Sequence, residues 1–176
     1  VPAAHALALR PATLVDAGPL ASLGRESFVA KFGALYREAD LSTFLAQTYA
    51  PEVVASEIIN PRRRVHLAHR GDRLVGYCKI GLDCGYPNHA RGRSVMELKQ
   101  LYTAPDAVGG GIGAALMDWA MAEFTLQHAD EVQLSVYSEN VGAQRFYARY
   151  GFVKVADISF RVGEHVDAEF LLARLL

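Results

Sequence analysis

Residues able to do chemistry concentrate in one stretch, Leu101-Tyr-Thr-Ala-Pro-Asp-Ala-Val-Gly-Gly-Gly-Ile-Gly-Ala-Ala-Leu116. An apolar run ends near Thr103, a proline-containing loop follows, and then come Gly109, Gly110, Gly111 and Gly113 at the start of an amphipathic segment. Without Cβ atoms, successive glycine N–H groups can converge on one concavity. A helix beginning there adds its unpaired amides and the positive end of its dipole. Such a place suits a phosphate or pyrophosphate. A flexible loop with a close helix–sheet contact at Gly113 accounts for the same glycines equally well.

Two phosphate-binding alternatives fail on residue type and spacing. A P-loop needs Lys followed by Ser or Thr after its last glycine, and Ile112-Gly113-Ala114 offers neither. The dinucleotide fingerprint needs Gly-x-Gly-x-x-Gly early in a βαβ unit, whereas these glycines come late and break that spacing. A second segment narrows the choice. Ser138-Glu139-Asn140-Val141-Gly142-Ala143-Gln144-Arg145-Phe146-Tyr147-Ala148-Arg149-Tyr150-Gly151-Phe152 resembles the Asn-x-x-Ala-x-x-Phe-Tyr-x-x-x-Gly-Phe signature of the GNAT acyltransferase superfamily. Val108 to Gly113 is similar to that family's Gln/Arg-x-x-Gly-x-Gly/Ala motif, one strand earlier. Val108 departs from it, because a Gln or Arg is usual there. Phe28, the Phe32 to Tyr36 segment, Asp40-Leu41, Thr48-Tyr49, Glu97 to Tyr102 and the Phe160 to Asp167 region further resemble the bacterial PaiA-type spermidine/spermine acetyltransferases.

The resemblance implies an acetyl-CoA-dependent N-acetyltransferase acting by direct attack of a primary amine, such as a polyamine, on the thioester. It assigns the edge Leu101, Tyr102 and Thr103 to the pantetheine arm, with the Leu101 N–H polarising the thioester oxygen. The amides of Val108, Gly109, Gly110, Gly111, Ile112, Gly113 and Ala114 would hold the pyrophosphate, and Asn140 would contact the pantetheine. Tyr147 is the expected acid for the departing thiolate, against a plain buried tyrosine. Glu97 is the candidate base, against an ordinary strand-end acid. Phe28, Phe32, Tyr36 and Tyr137 are candidate acceptor-pocket residues, where aromatic faces suit an alkylammonium; core packing explains Phe28 equally well. Asp40 is either a helix cap or an attractor for a distal ammonium. Arg145 and Arg149, ahead of Arg62-Arg63-Arg64, are candidates for the 3′-phosphate. Alternatives in the same frame are a protein N-terminal or lysine acetyltransferase and a non-catalytic acyl-CoA sensor.

These residues need a scaffold. Leu7–Arg10 reads as a first strand, Thr13 as the cap of a helix toward Phe28, Asp40 as the cap of a second and Pro51 as the opening of a third through Ile58. Val65–His69 and Leu74–Leu82 flank a hairpin turn at Arg70-Gly71-Asp72-Arg73. Val95–Thr103, a helix from Gly111 to Leu126, and Val132–Tyr137 form a β-α-β unit, implying parallel strands. A helix over Asn140–Tyr150 and strands Phe152–Val162 and Val166–Leu172 complete the order. This is an α/β (α+β) mixed sheet flanked by helices; by resemblance it is GNAT-like, of about seven mostly antiparallel strands, in one domain over residues 1–176.

Whole-chain properties agree. The 176 residues, 51% apolar and 21% charged, suffice for one core. A net charge of −1 speaks against general nucleic-acid binding. No apolar run is long enough to span a bilayer, and no signal-peptide pattern is visible. Cys78 and Cys84 read as free thiols of a cytoplasmic protein, and no Cys/His set has metal-ligand spacing. A homodimer is an expectation by analogy alone.

Overall fold

A computed structural model describes residues 6–176. Seven strands form one sheet in the order β1-β2-β3-β4-β5-β7-β6. They are β1 (Leu7–Pro11), β2 (Arg63–Arg70), β3 (Arg73–Gly81), β4 (Val95–Thr103), β5 (Glu131–Tyr137), β6 (Val153–Val162) and β7 (His165–Leu175). The helices are α1 (Ala17–Phe32), α2 (Glu38–Tyr49), α3 (Pro51–Ile59), α4 (Ile112–Leu126) and α5 (Val141–Arg149). All neighbouring strands are antiparallel except β4 and β5. The expected mixed, mostly antiparallel sheet and its parallel β-α-β unit are therefore present.

Strand alternation sorts the helices. Val65, Leu67 and Tyr77 turn toward α1 and α3, in a cluster with Leu20, Leu23 and Val54. Ala68, Cys78 and Ile80 turn the other way, onto Ile112, Leu116, Ala120 and Phe124 of α4. Period-2 strands between amphipathic helices bury both sheet faces in this way. α4 comes close because β3 carries Gly76, where a Cβ would lie 2.7 Å from Ile112 Cγ2. A third cluster joins Phe28, Leu45 and Tyr49 to Val162, fixing α1 and α2 against the β6–β7 hairpin.

The feature that positions the site is a partial strand pairing. β4 and β5 are in register only at Val95↔Glu131, Met96↔Val132 and Glu97↔Gln133. Beyond that point β4 pairs only with β3 and β5 only with β7. β4 also carries a bulge: Lys79 faces Gln100 and Ile80 faces Leu98, leaving Lys99 as the extra residue. A bulge increases local twist and bends its strand, here where β4 leaves its parallel neighbour. The closed end is braced by the loop before β4. The buried Glu131 carboxylate accepts from the backbone of Arg91 (2.6 Å) and Gly92 (2.7 Å), and Gln133 exchanges hydrogen bonds with Tyr86.

Thr13 is an N-cap as read, with Asp16 accepting from its N–H (2.8 Å), but the element it opens is a 3₁₀ turn, Leu14–Asp16, that leads into α1, and α1 runs on to Phe32 rather than ending near Phe28. Arg37, not Asp40, is the N-cap of α2. Asp40 lies inside the first turn, nearly fully buried, and accepts from Arg37 Nε (2.9 Å) and the Glu164 N–H (2.8 Å) of the β6–β7 turn. A long-range partner, invisible to local capping rules, decided its role.

Candidate active site

The glycine segment forms a loop, the candidate cradle, at one mouth of the split; of Val108 to Ala114, Val108 and Gly113 line the cleft and Ile112 is buried in the core. After β4, Ala104 donates to Val75 O (2.8 Å), and a 3₁₀ turn spans Pro105–Ala107. Gly109 and Gly111 then adopt φ of +86° and +75°, a left-handed conformation that side-chain-bearing residues resist. Gly111 is the N-cap of α4 rather than its first residue. The loop is held from behind by the β2–β3 hairpin: Arg70 donates to Gly110 O (2.8 Å), and Arg73 grips Asp106 at 2.6 and 2.7 Å. A Cβ at Gly113 would meet only Phe146 Cζ, at 4.0 Å. The close helix–sheet explanation of Gly113 therefore fails; that contact is made at Gly76. Val108 is 72% exposed and offers the cradle no polar side chain.

From this cradle a cleft follows the split. Its cradle-side hollow, ≈ 470 Å³, is lined by Ser27, Thr103, Val108, Gly113 and Phe146. The hollow on the far side, ≈ 270 Å³, is lined by Phe28, Phe32, Tyr36, Tyr137, Asp167 and Glu169. Lys31, Leu101, Tyr102, Ala143 and Tyr147 border both. Because β4 has no strand partner on its β5 side past Glu97, the edge at Leu101–Thr103 faces the cleft without a neighbouring strand, and Thr103 O accepts from the Ser27 hydroxyl (3.2 Å). The sequence places Asn140 as N-cap of α5, its Oδ1 accepting from the Ala143 N–H (3.2 Å). That bond leaves its amide NH₂ free at the far-side hollow.

Tyr147 lies about two helical turns beyond Asn140 and makes no hydrogen bond through its hydroxyl among the described residues. Burial pushes its phenol pKa well up, with the Cys78 thiol adding in the same sense. It is a protonated hydroxyl at neutral pH. Cys78 is itself fully buried, and burial raises its thiol pKa too, so it is held as a neutral thiol.

The far-side wall is aromatic. Phe28 packs on Phe44 (4.6 Å), Phe32 (5.2 Å) and Tyr36 (6.0 Å, stacked), and Phe32 meets Tyr137 edge-on at 6.1 Å. Phe28 serves both readings: it anchors a core cluster and edges the hollow. Tyr36 donates a short hydrogen bond to Asp167, which His165 Nε2 also contacts at 3.0 Å.

Several sequence-assigned residues fall elsewhere. Glu97 lies in the paired part of β4, before the strands part, and is not among the residues lining the cleft. Its carboxylate is bound by Lys99 Nζ (2.8 Å) and packs on Gly85, where an added Cβ would lie 2.7 Å from the Glu97 carboxyl carbon. Asp40 does not line the cleft either. Arg62 to Arg64 sit at the opposite end of β2 from Arg70 and its cradle contact, bound to Leu82 O, Glu57, Asp83 and Glu123. Arg145 and Arg149 are exposed on α5, Arg149 over the Phe146 ring. Conversely, Lys31, Gln100, Asp167 and Glu169 line the far hollow without having been singled out. The available signal was Asp167-x-Glu169 on a strand, since alternation puts both on one face.

The split sheet thus carries one cleft with a backbone loop at one mouth and a side-chain pocket at the other. Comparison with known proteins identifies the family. Residues 33–165 match the family described as the acetyltransferase (GNAT) domain. An uncharacterised N-acetyltransferase of Mycobacterium tuberculosis is 30% identical over 165 residues, covering 93% of this chain and 99% of the relative. A spermidine N(1)-acetyltransferase of Thermoplasma acidophilum is 24% identical over 153 residues, covering 85% and 89%. In structure, the chain resembles the PaiA N-acetyltransferase of Thermoplasma acidophilum, crystallised with coenzyme A, with a TM-score of 0.80, 20% identity and 97% and 99% coverage. The chain belongs to the GNAT family and is an N-acetyltransferase of that family. Among the described residues no helix is long and apolar enough to cross a membrane.

Proposed function

We propose that this chain, as a single cytoplasmic acetyltransferase domain, moves the acetyl group of acetyl-CoA to a small primary amine of the polyamine type. The observation that carries this reading is the pairing of the two mouths of one cleft. One offers backbone amides and a strand edge without a neighbouring strand; the other offers aromatic faces and carboxylates.

The donor fits the first mouth. The loop Val108 to Ala114 ends at a helix N-terminus, which suits a pyrophosphate. The edge Leu101, Tyr102 and Thr103 suits an amide-bearing arm that adds to the strand, and the free NH₂ of Asn140 suits one of its carbonyls. Held there, acetyl-CoA supplies a thioester carbonyl, which the Leu101 N–H would polarise. Tyr147 borders both hollows and keeps its proton, so it suits protonation of the leaving sulfur. At the second mouth, Phe32, Tyr36 and Tyr137 suit an alkylammonium through cation–π contact, and Asp167 and Glu169 give that end its negative charge. The polyamine-acetylating relative supports the same substrate class.

The test is thiol release from acetyl-CoA in the presence of spermidine, monoamines, peptides and aminoglycosides. Release with spermidine and not with peptides is expected. Release with peptides alone would transfer the reading to a protein substrate, and binding of acetyl-CoA without release to any acceptor would mark a sensor.

A further inference from the structure

The far hollow contains one acid whose condition the fold does not explain. Glu169 lies on β7, opposite Tyr137 of β5 and two residues from Asp167 on the same strand face. Its Oε2 is buried and has no hydrogen-bond partner among the described residues. It belongs to no ion pair among the described residues, although Lys31 and Lys99 border the same hollow. Leaving a buried polar atom unpaired costs about 1–3 kcal/mol, and natural structures retain few such atoms.

The other candidate acids are occupied. Asp167 is held by the Tyr36 hydroxyl and His165. Glu97 is held by Lys99, a residue of the hollow's wall, and Asp40 by Arg37 and the Glu164 amide. The titratable groups around Glu169 are Asp167 on its own strand, Tyr36 after α1, Tyr86 from the loop before β4 and Tyr102 of β4, with the Ser135 hydroxyl of β5 beside it.

We propose that Glu169 is a catalytic residue of the transfer, the group that takes the proton from the ammonium of the bound acceptor. The assignment rests on the amine-acetylation reading above. An alkylammonium entering between Phe32, Tyr36 and Tyr137 brings the donor that Glu169 Oε2 lacks, and their hydrogen bond is the path of the proton. Burial, with Asp167 adding and Ser135 opposing, raises the carboxyl pKa above its ordinary value. That makes Glu169 a stronger proton acceptor than a solvated glutamate, which favours the transfer.

The protons and bonds balance. R–NH₃⁺ gives one proton to Glu169. The freed nitrogen lone pair attacks the acetyl carbonyl, forming the C–N bond and then breaking the C–S bond as the tetrahedral oxyanion collapses. Tyr147 gives its proton to the departing sulfur and regains one from the acylated nitrogen. The products are the N-acetylamine and the free thiol. The proton left on Glu169 passes to solvent.

The experiment compares the wild-type chain with Glu169→Gln, an isosteric change that adds no volume, across a pH series. The acceptors are spermidine and a fluorinated alkylamine already neutral at pH 7. Acetyl-CoA binding by calorimetry and thermal melting report on the fold of each. For spermidine near neutrality, Glu169→Gln should lower kcat/KM about 10²-fold or more, with acetyl-CoA affinity unchanged. Its log kcat/KM should climb with pH as free amine appears, while wild type stays nearly flat above the Glu169 pKa. The fluorinated amine should narrow the gap between the two proteins to a few-fold, which a merely structural role would not do. Equal loss with both amines, or an unchanged pH slope, would overturn the role of Glu169 and leave amine acetylation standing. Absence of thiol release from the wild-type chain with either amine would overturn the amine-acetylation reading and the role together.

Discussion

The two mouths of the cleft are built in opposite ways. The cradle is made of backbone from one continuous stretch, Ala104 to Ala114, and its side chains contribute little: Val108 is turned to solvent and Gly113 has nothing to pack against nearer than Phe146. The far hollow is made of side chains from α1, the turn after it, α2, β4, β5, α5, β6 and β7. Backbone recognition accepts the part of a ligand that every relative shares. Side-chain recognition, assembled from distant segments, can be changed one residue at a time. Under the proposed function, the difference teaches where specificity would reside: in the side chains of the far hollow and not in the backbone of the loop.

The largest expected effect is at the residue bordering both hollows. Tyr147→Phe removes one hydroxyl and no volume, and should lower kcat by about 10²–10⁴ with little change in either substrate's KM. Unchanged turnover over the pH range would remove Tyr147 from the proton path. Next comes the cradle. Gly113→Val places a branched side chain in the concavity, and should weaken acetyl-CoA binding by about 1–3 kcal/mol, measured by calorimetry, without altering acceptor KM. If Gly113 were only a packing glycine, melting temperature would fall and affinity would not.

The hollow should answer differently. Phe32→Ala and Tyr36→Phe should raise the KM for spermidine, the first by about 0.5–2 kcal/mol through lost cation–π contact, and leave acetyl-CoA affinity unchanged. Smaller again is the clamp behind the cradle. Arg70→Ala frees the Gly110 carbonyl at an exposed site, where one hydrogen bond is worth about 0.5–1.5 kcal/mol, and acetyl-CoA affinity should fall by no more than that. The smallest effect is expected from Glu97→Gln. It should leave kcat/KM within the same order of magnitude, because that carboxylate is tied to Lys99 and does not itself line the cleft. A large loss there with fold retained would restore Glu97 to the chemistry.

What was legible in the sequence follows the same division. The cradle, α5 and the parallel unit rest on local signals: glycines at fixed spacing, an Asn cap, and a strand–helix–strand pattern. The backbone confirms the elements within a few residues of where those signals put them. Glu97 was misplaced because residue type and strand position cannot show where β4 and β5 part, and that register is non-local. Asp40 satisfies a capping rule one turn too late, and its deciding partner, the Glu164 amide, lies at the other end of the chain. Glu169 escaped notice because an acid on a late hairpin gains meaning only when β7 pairs with β5 and lays it against Tyr137.

The division of labour is tested most directly by an initial-rate matrix in which acetyl-CoA and spermidine are both varied, for wild type, Gly113→Val and Phe32→Ala. The account predicts that Gly113→Val raises only the acetyl-CoA KM and Phe32→Ala only the spermidine KM. The double variant should combine the two losses additively in free energy. Both constants moving together in either single variant would contradict it, because the two mouths would then be one undivided site.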